Sequence, residues 1–194
     1  MKAFKITKIR GGVTTPLGFR ANGVYCGIKP AYPGQKSSNS KRDLALIYSE
    51  APAVTAGFFT TNQIQAAPVK ICKEFLKKNK KNTRAIIVNS GNANCCTGKQ
   101  GFQTAWGTAV AAASKLNLKK PEVLLASTGI IGRQLPGDKI YKALDELING
   151  LSASLRAGAM AAEAIMTTDT IKKEAGCKIK IGRQTITIGG MAKG

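Results

Sequence analysis

A chain of 194 residues fits one domain with length enough to bury a substantial core, and its 43% apolar and 21% charged residues are ordinary for a globular protein. No apolar stretch is long enough to span a bilayer, and five cysteines without a CxxC pair, in a chain with no histidine, argue against a conventional zinc site. The net charge of +20, from 30 basic against 10 acidic residues, leaves three kinds of partner open: nucleic acid, an anionic membrane, or anionic small molecules with an acidic partner chain.

The start, Met1 to Arg10, is basic and meets Gly11-Gly12 without the apolar core of a secretory signal, so a reduced cytoplasm is the expected setting. Residues 43–49 and 54–60 read as two strands joined through Pro52. Residues 68–78 place Val69, Ile71, Cys72, Phe75 and Leu76 at helical spacing. A buried-strand pattern over 84–89 leads into a Gly/Asn-rich loop over 90–98. Residues 101–116 then read as a helix rich in small residues, the kind that sits close against a sheet.

Residues 122–127 form a further strand pattern ending at Thr128-Gly129. Pro136 at a first turn and Gly150 beyond the end bound a helix over 136–148, and a second Ala/Gly-lined helix covers 154–166. Two alternating runs around Gly182-Arg183 predict a β-hairpin over 177–188, running into Gly189-Gly-Met-Ala-Lys-Gly194. The whole is a mixed α/β pattern without repeat or clear linker. A Gly/Lys segment that looks functional at the last residue suggests a fragment or one product of a cleavage.

No nucleophile–base pair assembles from these residues by the usual routes, because Ser-His-Asp and Cys-His catalysis both need a histidine. A nucleophile activated by its own α-amino group remains, as in N-terminal Thr enzymes, but this chain starts with Met1, so a second chain would supply it. The basic clusters at 77–81 and 115–120 come without aromatic interleaving or finger spacing, and such runs at helix ends are commonly solvated surface.

An ordered set of motifs resembles the ornithine acetyltransferase family, whose members are also called arginine biosynthesis bifunctional proteins. It runs through Gly23-Val-Tyr-Cys-Gly-Ile-Lys29, Asp43-Leu-Ala-Leu46 and Gly57-Phe-Phe-Thr-Thr-Asn62. It continues through Ala85-Ile-Ile-Val-Asn-Ser-Gly-Asn-Ala-Asn94, Cys96-Thr-Gly98, Ala126-Ser-Thr-Gly-Ile-Ile-Gly132, Met166-Thr-Thr-Asp-Thr170 and the terminal Gly/Lys segment, covering nearly the whole chain. The resemblance implies a layered α/β sandwich (α+β) in which this chain, 1–194, is the α chain of a self-cleaved precursor, one domain forming one wall of the active site. It further implies a β chain that begins with the Thr nucleophile, an α2β2 assembly, and ping-pong acetyl transfer from N-acetylornithine to glutamate. Some members also use acetyl-CoA as a substrate. No other cofactor, no metal, no nucleic acid and no membrane is implied.

Residue by residue, the resemblance makes Thr128 and Gly129 the oxyanion-hole pair, and Thr167 and Lys193 substrate-binding residues. Local sequence alone reads Thr128-Gly129 as an ordinary strand-to-loop turn, Thr167, Thr168 and Asp169 as helix-end capping, and Lys193 as a solvated lysine. Which of Thr167 and Thr168 meets substrate stays open. Asn89, Asn92 and Asn94 shape a loop without an assigned role, and Cys95-Cys96, where the family pattern has smaller residues beside one Cys, reads as packed thiols. Two rivals remain: a basic nucleic-acid-binding module and an N-terminal-nucleophile amidohydrolase.

Overall fold

The computed structural model describes residues 5–30 and 41–194; the first four residues of the basic start lie outside the described residues. Four strands, β2 (Phe19–Val24), β3 (Leu44–Ala53), β4 (Thr83–Asn92) and β5 (Val123–Ile130), form one sheet in the order β2-β3-β4-β5. Strand β3 runs antiparallel to both β2 and β4, and β5 runs parallel to β4. A parallel neighbour needs a crossover, supplied here by helix α2 (Gly98–Lys115).

Strand alternation decides what each face meets. Leu44, Leu46, Ala85 and Ile87 join Val123 and Leu125 and the buried stripes of three helices: α1 (Ala67–Asn79), α2 and α3 (Gly137–Asn149). In α3 that stripe is Ile140, Ala143, Leu144 and Leu147, at the spacing of one helical face. Burying each of its larger side chains stabilises by about 1.5–3 kcal/mol, so this stripe holds the helix more firmly than any surface pair.

The opposite face carries small residues, Ala21 and Ala45, which meet Ala161, Ala164 and Ile165 of helix α4 (Leu155–Ala164) or just beyond its end. A Cβ on Gly23 would come within 2.1 Å of the Met160 carbonyl oxygen, so this helix rests directly on the β2 backbone. Ser154 caps α4 by accepting the Ala157 N–H. Helix α4 also touches a second sheet of three antiparallel strands, β1 (Lys5–Ile9), β6 (Lys173–Ile181) and β7 (Gln184–Ala192), in the order β1-β6-β7. The two sheets and their helices make a layered α/β architecture. Among the described residues no helix is long and apolar enough to cross a membrane.

Most expected elements are present with shifted ends, and the hairpin turns at Gly182-Arg183 as read. One expectation fails: β3 continues through Pro52 to Ala53, and no strand forms over 54–60. Pro52 sits where the β3–β4 register shifts between Tyr48 and Ala53, an irregularity that tolerates a missing N–H. Beyond it Val54 and Phe58 are exposed and pair with no strand. Strands β1 and β2 were not foreseen.

Strands β4 and β5 come closest where Gly91 faces Gly129, with φ +97° and +137°. A Cβ on Gly129 would stand 2.3 Å from the Gly91 carbonyl carbon and 2.4 Å from the Asn92 nitrogen, both backbone atoms that cannot step aside. Gly132 also has a left-handed φ, +79°, but open space around its missing Cβ. Gly132→Ala should therefore cost only backbone strain, about 1 kcal/mol. Gly129→Ala adds the backbone clash and should lower the thermal midpoint of the full-length protein several-fold further; equal shifts for the two variants would show that the close approach is not tight.

Candidate active site

Two sets of buried polar contacts prepare the ends of β3, β4 and β5. Asp43, fully buried, accepts from the backbone N–H groups of Cys26 (2.6 Å), Ile28 (2.7 Å) and Lys29 (2.9 Å). It thereby fixes the turn that carries Lys29. On the other side the three asparagines work as latches for the loop after β4. The Asn89 amide donates to the Asn92 carbonyl, Asn92 to the carbonyls of Arg133 and Gln134, and Asn94 to that of Gly101. Ser127 and Thr97 complete the set by donating to the amide oxygens of Asn89 and Asn94. Buried amides pay for their desolvation only when bonded in this way.

Between these supports lies a cluster drawn from three elements: the end of β5, the turn after α4 and the residue after β7. The Lys193 ammonium donates to Thr128 Oγ1 at 3.0 Å and to Thr167 Oγ1 at 2.8 Å. Each hydroxyl oxygen accepts, so each keeps its O–H to donate. Among the described residues no carboxylate lies within ion-pair distance of Lys193. One ammonium N–H and two hydroxyl O–H groups thus remain as donors in this cluster, the groups with which an oxyanion or a carboxylate is bound. Gly129 follows Thr128 on the same strand end.

Asp169 holds this cluster together, a part that local sequence did not reveal. Its carboxylate accepts from Lys173 Nζ (2.7 Å), the Gly194 N–H (2.8 Å) and the Thr167 N–H (3.1 Å), and its side chain is 2% exposed. The Lys173 ammonium, followed by the two backbone donors, holds its pKa well below the usual carboxylate range. The helix-end capping expected of Asp169 captures the bond to Thr167; the bonds to β6 and to Gly194 depend on the tertiary fold.

Thr167 also lines an open cleft of about 610 Å³, together with Thr168, Asp169, Lys29, Arg42 and Glu163. Both threonines reach the cleft, and Thr167 is the one bonded to Lys193. Burial pushes the thiols of Cys26, Cys72 and Cys95 up, with Asp43 adding to the effect at Cys26 and Cys96 at Cys95, so none of the three is a poised nucleophile. Cys95 and Cys96 are free thiols in contact, their sulfurs 4.0 Å apart; Cys96 is exposed rather than packed, on a turn with φ +57°. The four expected site residues, Thr128, Gly129, Thr167 and Lys193, therefore come together at one place, although they span 66 positions of sequence between Thr128 and Lys193 counted inclusively.

The sequence matches the ArgJ family over residues 20–194. The arginine biosynthesis bifunctional protein ArgJ of Gloeobacter violaceus is 46% identical over 186 residues, and that of Prochlorococcus marinus (strain SARG) is 43% identical over 190. These alignments take in 96% and 98% of this chain but 43% and 44% of the relatives, so the chain spans less than half the length of the curated proteins it matches. Among solved structures, arginine biosynthesis bifunctional protein argJ from Bacillus halodurans superposes with a TM-score of 0.89 at 34% identity, covering 100% of this chain and 95% of that one. Ornithine acetyltransferase from Mycobacterium tuberculosis, complexed with ornithine, gives 0.85 at 39% identity, covering 98% and 95%. With the family match, the identities and the fold in agreement, this chain belongs to the ArgJ family.

Proposed function

We propose that this chain is the α chain of a glutamate N-acetyltransferase, and that it builds one wall of a site whose nucleophile lies on a β chain from the same precursor. The observation that carries the reading is the Lys193 bridge, which brings the Thr128 and Thr167 hydroxyls together around one ammonium. The lengths of the relatives support two chains. Curated family members are more than twice as long as this chain, whereas the matching chains of the two solved structures are of its own size.

In this mechanism the hydroxyl oxygen of the β-chain N-terminal Thr attacks the acetyl carbonyl of N-acetylornithine, and the proton passes to that residue's own amine. The carbonyl oxygen gains the charge; Thr128 and Gly129 donate to it, so the stabilisation appears as the charge develops. The C–N bond then breaks, ornithine leaves with the proton, and an acetyl ester remains. Glutamate's α-amine attacks the ester and reverses the sequence. Lys193 and Thr167 hold the carboxylate that donor and acceptor share, and an α2β2 assembly in the cytoplasm accommodates both chains. Acetyl-CoA would enter as an alternative acetyl donor, with no further cofactor.

The full-length protein tests the reading directly. Intact-mass measurement should find two polypeptides, the second beginning with Thr, and incubation with N-acetylornithine should add the mass of one acetyl group to that second chain. A single uncut chain, or hydrolysis to acetate without transfer to glutamate, would favour a different acyl chemistry.

Thr128→Ala should lower kcat by about two to three orders of magnitude, the usual loss for one oxyanion donor, with a much smaller change in KM. A kcat within a few-fold of wild type would make the hydroxyl structural.

Lys193→Ala removes a charge-assisted hydrogen bond worth about 1.5–3 kcal/mol, or roughly ten- to a hundredfold in kcat/KM. Lys80→Ala removes the same charge from the exposed end of α1 and should stay near wild type, because solvent screens it. Equal losses in fully cleaved proteins would show that diffuse positive charge, and not the Lys193 geometry, is what substrates feel.

A further inference from the structure

Three cationic residues line the cleft, Lys29, Lys41 and Arg42, and Arg42 is paired with Glu163 at 2.7 Å. Lys29 lies at the end of the turn that Asp43 fixes, and its aliphatic stem packs against the Gly91 turn, where a Cβ would come within 3.0 Å of Lys29 Cγ. This is the same Gly91 that the Gly129 backbone crosses, so the lysine leans on the support of the Thr128-Gly129 pair. Its ammonium donates to the Arg42 carbonyl at 2.6 Å, which leaves two N–H groups for a ligand. The side chain is half-buried. Burial pulls its pKa down to about 8, while Asp43 and Asp169 favour the charged form, so near neutral pH it is a mostly protonated and poorly hydrated cation. A carboxylate restores more to such a group than to a lysine in open water.

We propose, on the acetyl-transfer reading above, that Lys29 recognises the side-chain carboxylate of the acetyl acceptor and so sets the preference for an acidic amino acid. The acceptor reacts through its α-amine, so its α-carboxylate, borne on the same carbon, must stay beside the reacting centre, where Lys193 stands. The second carboxylate is displaced by the length of the side chain and needs its own cation. Thr167 connects the two positions: it is bonded to Lys193 and lines the cleft that holds Lys29. The acetyl donor carries an ammonium where the acceptor carries this carboxylate, so the Lys29 ammonium attracts the acceptor's side chain and repels the donor's, while Glu163 in the same cleft is engaged by Arg42 at 2.7 Å and Lys172 at 3.5 Å. Lys29 therefore acts on the acceptor and not on the donor.

The two half-reactions of the full-length, self-cleaved protein separate this role from a structural one. Acetylation by N-acetylornithine alone is followed by intact mass; discharge of the acetyl-enzyme is followed with glutamate and with glutamine, its uncharged isostere. In Lys29→Met, acetylation should stay within about twofold of wild type. The half-saturating glutamate concentration should rise about ten- to a hundredfold, and the preference for glutamate over glutamine should fall by the same factor. Lys29→Gln, which keeps a donor for the Arg42 carbonyl, carries the same expectation, and Lys29→Arg should retain part of the preference. Equal losses in both half-reactions, or a glutamate preference kept in Lys29→Met and Lys29→Gln, would overturn the assignment while leaving the acetyl-transfer reading intact. A wild-type protein that forms no acetyl-enzyme would instead remove that reading, and this one with it.

Discussion

The Asp169 carboxylate is the constraint on which the site depends. It grips the turn after α4 through Thr167, strand β6 through Lys173 and the segment after β7 through Gly194. Three separate stretches of chain are thus referred to one anion. Lys193, neighbour of the gripped Gly194, can then reach Thr128 at the end of the other sheet. A neutral side chain of the same shape would keep fewer of these bonds, because two of the donors are backbone amides and the third is a full charge.

The second requirement is thinness. Helix α4 could not bring Thr167 to the edge of the four-stranded sheet if the strands beneath it carried large side chains. Gly23, Ala21 and Ala45 provide that thin face, and the Ser90 hydroxyl ties β4 to the carbonyl of Ala164 at 2.5 Å. Leu44, Leu46, Ile87 and Leu125 lie on the face beneath α1, α2 and α3, where they join the main buried cluster. One sheet therefore does two jobs: one face stabilises, and the other positions.

The parts of this plan governed by local periodicity could be read from sequence: the helices, the strands over 84–89 and 122–127, and the C-terminal hairpin all carry their own patterns. The failures have physical causes. Strand β2 contains Asn22 and Gly23, which interrupt a strand pattern, yet Asn22 finds the carbonyls of Glu146 and Leu147 and Gly23 finds the α4 backbone. Residues 54–60 look like a strand because they are apolar, but among the described residues no strand pairs with them. Thr128, Gly129, Thr167 and Lys193 were accessible only by resemblance, since each reads locally as a turn, a cap or a surface charge. Asp169 carried only its capping signal and Lys29 only its place in a family motif, because what distinguishes them is their contacts across the fold.

The Lys193 bridge has a mechanical side. Thr128 closes one sheet, Lys193 extends from the other, and α4 touches strands of both. An anion seated between these groups is a cross-link as well as a ligand, joining two layers that otherwise meet mainly through one short helix. Occupancy on the proposed reading should therefore couple the opening of the two layers and slow the exchange of the β7 amide protons relative to the free protein.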